Sequence, residues 1–449
     1  MAHRALIFIT APTKDNPGLP RAFLKVGGIS LLERQLRMLK RLGIEDVTLV
    51  AGEFLSAVEN AKFRRGPKKI KILNLPDMKP EGNFPKGEKV LVLEAGVLID
   101  ERIMKAVLAK KSRHAIAVYP EKTVIYGKGY GLKLKTAKGE KLFASAATVL
   151  GEDIIKAFAT RGFQETPLAN LLKTGLAAAT SPFVDISKLP TYLADRRRDL
   201  EIMWRPVGKQ SETGKATRAQ IATAQKGCLD WPARWIHPFF ENLTVELICP
   251  FPITPNMITV LTGFVGFYIT WLFATGQMLF GLILALVIGV LDGVDGKLAR
   301  TKMEQTKLGE LEHIADKIVE YSWYIGIAIF LAGVEGNALP WALAVLTILF
   351  AAAEVVQGEF FRRLTGRQLD DAGKFERTAR IFTARRNTII WGLIPFALLD
   401  QWLLGFWAVA IFTAVTFFLA QVRFFIRVRE YGSEKSLEIK KNFDDTAYF

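Results

Sequence analysis

The sequence predicts a multidomain protein: an N-terminal α/β domain followed by a C-terminal all-α bundle of six transmembrane helices. Two observations carry this reading. Residues 1–230 mix charges with short apolar runs, whereas from about Met257 apolar runs of membrane length alternate with basic loops. Up to about Arg198, strand-type runs alternate with helical periodicity, the pattern of a parallel sheet. At 449 residues the chain has room for two or three domains.

The α/β domain is expected over 1–200. Ala5–Thr10 is a short apolar run of strand type that ends in a Pro/Asn/Gly-rich loop. Leu31–Leu42 has helical periodicity and stops at Gly43, a plausible C-cap. Asp46–Ala51 reads as a second strand and Lys89–Leu93 as a buried one. Residues 201–228 read as a linker, because 205–226 (RPVGKQSETGKATRAQIATAQK) are polar and basic. Over 229–250, Trp231, Trp235, Phe239, Phe240 and Leu243 stand among polar residues, which suits amphipathic helices lying at a membrane surface. Packing of this segment on the soluble domain stays open. Six spans are expected within 251–430, at about 257–274, 278–296, 312–334, 338–358, 387–402 and 403–424, the fifth short and interrupted by Pro395. Residues 431–449 form a tail.

The net charge is +16. Much of the basic excess flanks apolar segments, so it points to cytoplasmic loops and not to nucleic acid. Loop 297–311 carries Lys297, Arg300, Lys302 and Lys307, and loop 359–386 carries eight Lys or Arg. The loops near Gly276, Gly333–Asn337 and Asp400–Gln401 carry none. An integral protein of the cytoplasmic (inner or plasma) membrane is expected, with both termini and the soluble domain in the cytoplasm. Only Cys228 and Cys249 are present, which argues against a disulfide framework or a zinc site. The opening MAHRALIFIT is too short and too quickly polar for a signal peptide.

Residues 291–317, LDGVDGKLARTKMEQTKLGELEHIADK, concentrate the chemistry. Asp292 and Asp295 are spaced i, i+3 and share a helix face at the cytoplasmic end of the second span. Glu312 and Asp316 are spaced i, i+4 at the start of the third. Two neighbouring helices can thus aim four carboxylates at one pocket. Oxygen donors without Cys or a placed His select a hard cation, Mg²⁺ or Mn²⁺, which usually binds together with substrate phosphates. Gly293 and Gly296 leave room for a nucleotide or a neighbouring helix, and Arg300 can meet a phosphate oxygen.

This segment resembles the signature of the CDP-alcohol phosphotransferase family, D-x2-D-G-x2-A-R-x8-G-x3-D-x3-D. Asp292, Asp295, Gly296, Ala299, Arg300 and Gly309 match it in identity and spacing. Pro255-Asn256-Met257-Ile258-Thr259 resembles the family's P-N-x-(I/V)-T entry to its first span. The last two acids depart from the pattern. Family spacing falls on His313 and Lys317, and a slide of one residue gives Glu312 and Asp316. Either the register has shifted with the site kept, or the metal site is damaged.

The resemblance implies an integral membrane enzyme that joins a CDP-alcohol donor to an acceptor hydroxyl and releases CMP. It implies two divalent ions held by Asp292, Asp295, Glu312 and Asp316, with Asp316 as general base. Asn256, Thr259, Gly296, Ala299, Arg300 and Gly309 would bind the CDP moiety. A homodimer is also implied. ARRNTIIW, 384–391, resembles a basic stretch that faces the acceptor phosphate in related enzymes, so Arg385 and Arg386 are candidate clamps; contact with lipid headgroups is the competing reading. Two donors fit the resemblance, CDP-diacylglycerol and a soluble CDP-polyol, and a phosphorylated acceptor is compatible with either.

Leu19–Leu42 resembles a segment of sugar-nucleotidyltransferase-like domains, which implies a Rossmann-like α/β sandwich. Its active residues are mostly missing. ITAPTKDNPG stands where a Gly-rich phosphate loop is expected, Arg21 replaces a Lys, and Gly96 stands where a metal-binding Asp is expected. Asp185 matches a second metal Asp. A scaffold, dimerisation or regulatory role is therefore expected for this domain. The fused layout is similar to bifunctional enzymes that make CDP-inositol and join it to inositol phosphate. Two other classes compete with the enzyme: a non-catalytic membrane scaffold, motivated by the departures above, and a transporter, motivated by acids near the spans. Transporters usually place such groups near the bilayer midplane, whereas these acids sit at one surface.

Overall fold

The computed structural model describes residues 4–63, 65–76, 84–120, 133–136, 139–159, 167–177, 183–304 and 308–432, with 120, 135–136, 139–142, 174–177 and 308–313 given as backbone only. The chain divides into two units. Unit 1 comprises residues 1–191 and 200–220, and unit 2 comprises 192–199 and 221–449.

Unit 1 is built on an eight-stranded sheet. Its strands are β1 (Arg4–Ile9), β2 (Asp46–Ala51), β3 (Lys69–Asn74), β4 (Lys89–Glu94), β5 (Ala115–Pro120), β6 (Lys133–Thr136), β7 (Gly139–Leu150) and β8 (Phe183–Asp185). The order across the sheet is β8-β5-β7-β4-β1-β2-β3, with β6 paired to β7. β4, β1, β2 and β3 run parallel, and β7 is antiparallel to both β4 and β5. In β1 and β2 the five residues after the first are all buried, as in a parallel sheet covered on both faces. Helix α1 (Leu31–Arg41) is capped by Ser30, whose hydroxyl accepts from the Glu33 amide at 3.1 Å, and Gly43 follows it with φ +76°. Helix α2 (Glu101–Ala109) is capped by Asp100. The expected α/β architecture is present. The stretch expected as a linker is more ordered than its composition suggests: Trp204–Pro206 pairs antiparallel with Val97–Ile99, and Thr213–Thr223 forms helix α3.

Unit 2 is helical. A π-helical turn, Pro232–Ile236, leads into α4 (His237–Ile248). Then follow α5 (Pro255–Ala274), α6 (Met278–Lys302), α7 (Leu308–Glu335), α8 (Leu339–Thr365), α9 (Lys374–Ile381), α10 (Arg386–Leu398) and α11 (Trp402–Gly432). Among the described residues, five helices are long and apolar enough to cross a membrane: α5, α6, α8, α11 and the part of α7 from Ile314 onward. The chain is an integral membrane protein. Six spans were expected, but α10 has 13 residues and contains Pro395. At about 1.5 Å per residue it reaches roughly 20 Å, short of the hydrocarbon core.

Trp323, Phe273 and Phe406 are fully buried in the bundle, while Phe264, Phe280, Val356 and Phe425 lie on its outside. In water such a surface would be unfavourable; against lipid it is expected. Helices α5 and α7 approach through small residues. The Trp323 indole donates to the Gly266 carbonyl at 2.9 Å, and a Cβ on Gly326 would lie 2.6 Å from the Thr270 carbonyl. Trp235, Phe239, Phe240, Leu243 and Leu247 of the α4 segment are exposed.

Candidate active site at the end of helix α6

Helix α5 begins at Thr254, whose hydroxyl accepts from the Met257 amide, with Pro255 in the first turn. This start sets the rotation of Thr259 one turn later. The Thr259 hydroxyl donates to Asp295 Oδ2 at 2.8 Å, which ties the entry motif to the acidic motif on α6. Asp295 is nearly buried, so the bond orients a carboxylate that water does not. Asn256 is exposed.

One turn before Asp295, Asp292 forms an ion pair with Arg386 at 2.5 Å. Arg386 opens α10, so the short helix brings a cation to the acids of α6. Asp316 and Glu320 of α7 also act on Arg386 electrostatically. Glu320 itself pairs with Lys317 at 2.7 Å. Arg386 thus gathers acids from two helices. Arg385, expected beside it as a clamp, pairs with Glu354 of α8 at 2.7 Å. Buried charges at a membrane surface need such counter-ions, and sequence alone does not show which acid each arginine takes.

Gly293 is required by a neighbour. The Glu241 carboxylate of α4 lies where a Cβ on Gly293 would stand, and it pairs with the buried Lys297 at 2.8 Å. Burial pushes the Glu241 carboxyl up, against the opposing Lys297 charge. The Arg300 guanidinium lies 3.1 Å from the position of a Cβ on Gly296, and Arg300 Nε donates to the Ala224 carbonyl at 2.6 Å. Ala299 is half-buried on the same helix. Gly309 and Glu312 were also expected here; their side-chain positions lie outside the described residues.

The donor set is carboxylate and hydroxyl oxygen, which fits a hard divalent cation by chemistry. Among the described residues no three His, Cys, Asp or Glu side chains stand close enough to enclose an ion. Glu312 is not among them.

Residues 252–411 match the family model described as CDP-alcohol phosphatidyltransferase. The membrane half carries a CDP-alcohol phosphatidyltransferase domain. The chain is 24% identical over 398 residues to "Bifunctional IPC transferase and DIPP synthase" of Aquifex aeolicus, covering 85% of this chain and 87% of that one. A protein of the same name from Thermococcus kodakarensis is 24% identical over 362 residues, 76% of this chain and 79% of its own. An alignment of 398 residues is longer than either unit and so runs through both. A solved inositol-1-phosphate CTP transferase from T. maritima aligns at 12% identity and TM-score 0.33, over 48% of this chain and 96% of its own; the fold of unit 1 rests on its sheet and not on this likeness. The chain is a transferase of CDP-alcohol phosphotransferase type, and the scaffold and transporter alternatives give way. CDP-alcohol phosphatidyltransferases generally use divalent metals.

Within unit 1, Gly96 has φ +83°, and a Cβ there would lie 2.5 Å from Arg21 Cβ. Arg21 Nε donates to the Pro12 carbonyl at 2.9 Å. The space that an aspartate would need is taken by Arg21. Asp185 caps a turn, accepting from the amide and hydroxyl of Ser187 at 3.0 and 2.7 Å.

Proposed function

We propose that the chain transfers a substituted phosphoryl group from a soluble CDP-polyol to the hydroxyl of a polyol phosphate, releasing CMP. Asp292, Asp295, Glu312 and Asp316 would hold two Mg²⁺ or Mn²⁺ ions, which when bound would neutralise the pyrophosphate. Asp316 takes the proton of the acceptor hydroxyl. The hydroxyl oxygen forms a bond to the phosphorus that bears the alcohol, the bridging P–O bond to CMP breaks, and the CMP phosphate keeps the electron pair. Thr259 orients Asp295, and Arg300 faces the leaving phosphate across Gly296. Arg386 holds Asp292 in place until the donor arrives.

The observation that supports this reading is the meeting of α6, α7 and α10 at Arg386, where Asp292 is paired and Asp316 is in electrostatic range. The names of the bifunctional relatives favour a polyol over diacylglycerol as the alcohol. By the positive-inside rule the basic loops favour the cytoplasmic side for this site, both termini and unit 1. A homodimer is part of the proposal. Unit 1, with Gly96 where a metal-binding aspartate is expected and Arg21 packed against it, serves a scaffold, dimerisation or regulatory role. The test is metal-dependent CMP release from a panel of CDP-alcohols by purified protein. Asp316→Asn should abolish release while the protein stays folded; undiminished turnover would remove Asp316 from the mechanism.

A further inference from the structure

One cavity of unit 2 lies outside the phosphotransfer site. Its volume is about 250 Å³, and its wall takes Tyr192 and Arg197 from the segment 192–199, Lys226 from the chain before α4, Arg362 from the end of α8, and Arg367 and Asp371 from beyond it. Four of these six side chains are cationic. Arg197 pairs with Asp370 at 3.0 Å, Arg362 with Glu359 at 2.8 Å and Arg367 with Asp371 at 3.4 Å. Lys226 differs. Among the described residues it makes no hydrogen bond or ion pair, although Asp195 also lines the cavity. Its electrostatic neighbours are the guanidinium groups of Arg300 and Arg197, which repel it, and Asp292 and Asp295, which attract it.

An ammonium group held on a cavity wall between two guanidinium groups is costly, and an anion in the cavity would relieve that cost. Arg385 pairs with Glu354 and Arg386 with Asp292, whereas Lys226 has no such partner among the described residues. The volume falls below the roughly 300–1,000 Å³ of drug-sized pockets, so it suits a phosphate group with at most a small polyol attached.

We propose that this cavity binds a phosphate monoester, with Lys226 donating to the phosphate oxygens and Arg197 and Arg362 flanking them. The phosphate has two possible sources, the acceptor or free inorganic phosphate. The first source rests on the transferase reading above; the second does not.

The test uses the purified full chain in detergent and follows thermal stabilisation by inorganic phosphate against chloride at matched ionic strength. The wild type should be stabilised by phosphate. Lys226→Gln should need about tenfold more phosphate for the same shift, as expected for losing one charge-assisted bond, and Lys226→Arg should respond as the wild type. If Lys226→Gln does not fold, Arg362→Gln, at the exposed rim, should weaken the response in the same direction. Absence of phosphate stabilisation in the wild type, or an unchanged response in both Gln variants, overturns the site. The source is then read from CMP release with inositol 1-phosphate as acceptor. A tenfold rise in KM with kcat within twofold identifies the acceptor phosphate, and an unchanged KM identifies free phosphate. CMP release without any phosphate response leaves the transferase standing and removes only this cavity.

Discussion

The Thr259 hydroxyl donates to Asp295 Oδ2 across 2.8 Å, joining the first residues of α5 to the acidic face of α6. A hydroxyl that orients a ligating carboxylate usually matters ten- to a hundredfold. We expect Thr259→Val to lower the rate of CMP release by about that factor. The divalent-ion concentration needed for half-maximal rate should rise, while the yield of folded protein stays unchanged.

Removal of divalent ions follows from the same donor set. Treatment with a chelator should abolish CMP release, and added Mg²⁺ or Mn²⁺ should restore it, because the proposed ligands are all oxygen donors. Zn²⁺ should restore less. Full activity in excess chelator would contradict the metal assignment.

Gly293 is a packing requirement. A methyl group there would collide with the Glu241 carboxylate, which is fixed by Lys297 at 2.8 Å. Overpacking of this kind costs about 1–3 kcal/mol. Gly293→Ala should lower the melting temperature of the purified protein, whereas Gly263→Ala, where nothing lies within 4 Å, should not.

Lys226 should make phosphate binding sensitive to pH. Burial, followed by Arg300 and Arg197, lowers its pKa to about 8, opposed by Asp292 and Asp295. The charges of Asp195, Arg362, Arg367 and Asp371 share the cavity wall. Below about pH 8 the ammonium is charged and attracts the anion; above it the attraction fades. Phosphate stabilisation should therefore fall between pH 7 and 9. The same shift has the opposite sign for the ligand-free protein. Because the folded state releases this proton before the unfolded chain does, intrinsic stability should rise as pH passes from about 8 toward 10.5. Titrations at several pH values separate the two trends.

Cys228 should be inert. Burial, then the Asp370 charge, pushes its thiol up to about 11, and its sulfur donates to the Asp370 carbonyl at 3.0 Å. At pH 8 alkylating reagents should leave it unmodified until the protein is denatured.

What was legible in the sequence was whatever depends on spacing along one helix. Asp292 and Asp295 share a face of α6, and the strands β1, β2 and β4 lie where their apolar runs place them. Partnerships between distant segments were not legible. Arg385 and Arg386 are adjacent in sequence, yet one turns to α8 and the other to α6, a choice made by helix packing. Lys226 sits in a stretch whose composition reads as a linker, and nothing local marks it as a cavity wall. The length of α10 was in plain view. Its 13 residues and Pro395 match the short, interrupted fifth segment that the sequence shows, and they leave the sixth span unconfirmed.

The passage of the chain between its units has a practical consequence. Residues 192–199 belong with the helical unit although 200–220 return to the sheet unit. Tyr192 donates to Asp371 at 2.6 Å, and Arg197 bonds Gln368 and Asp370 at 2.7 and 3.0 Å. No single cut can therefore free an intact membrane half. A fragment started at residue 221 would strand Asp370 without one of its arginines and Asp371 without its phenol, and supplying 192–199 as a separate peptide is the natural way to mend it.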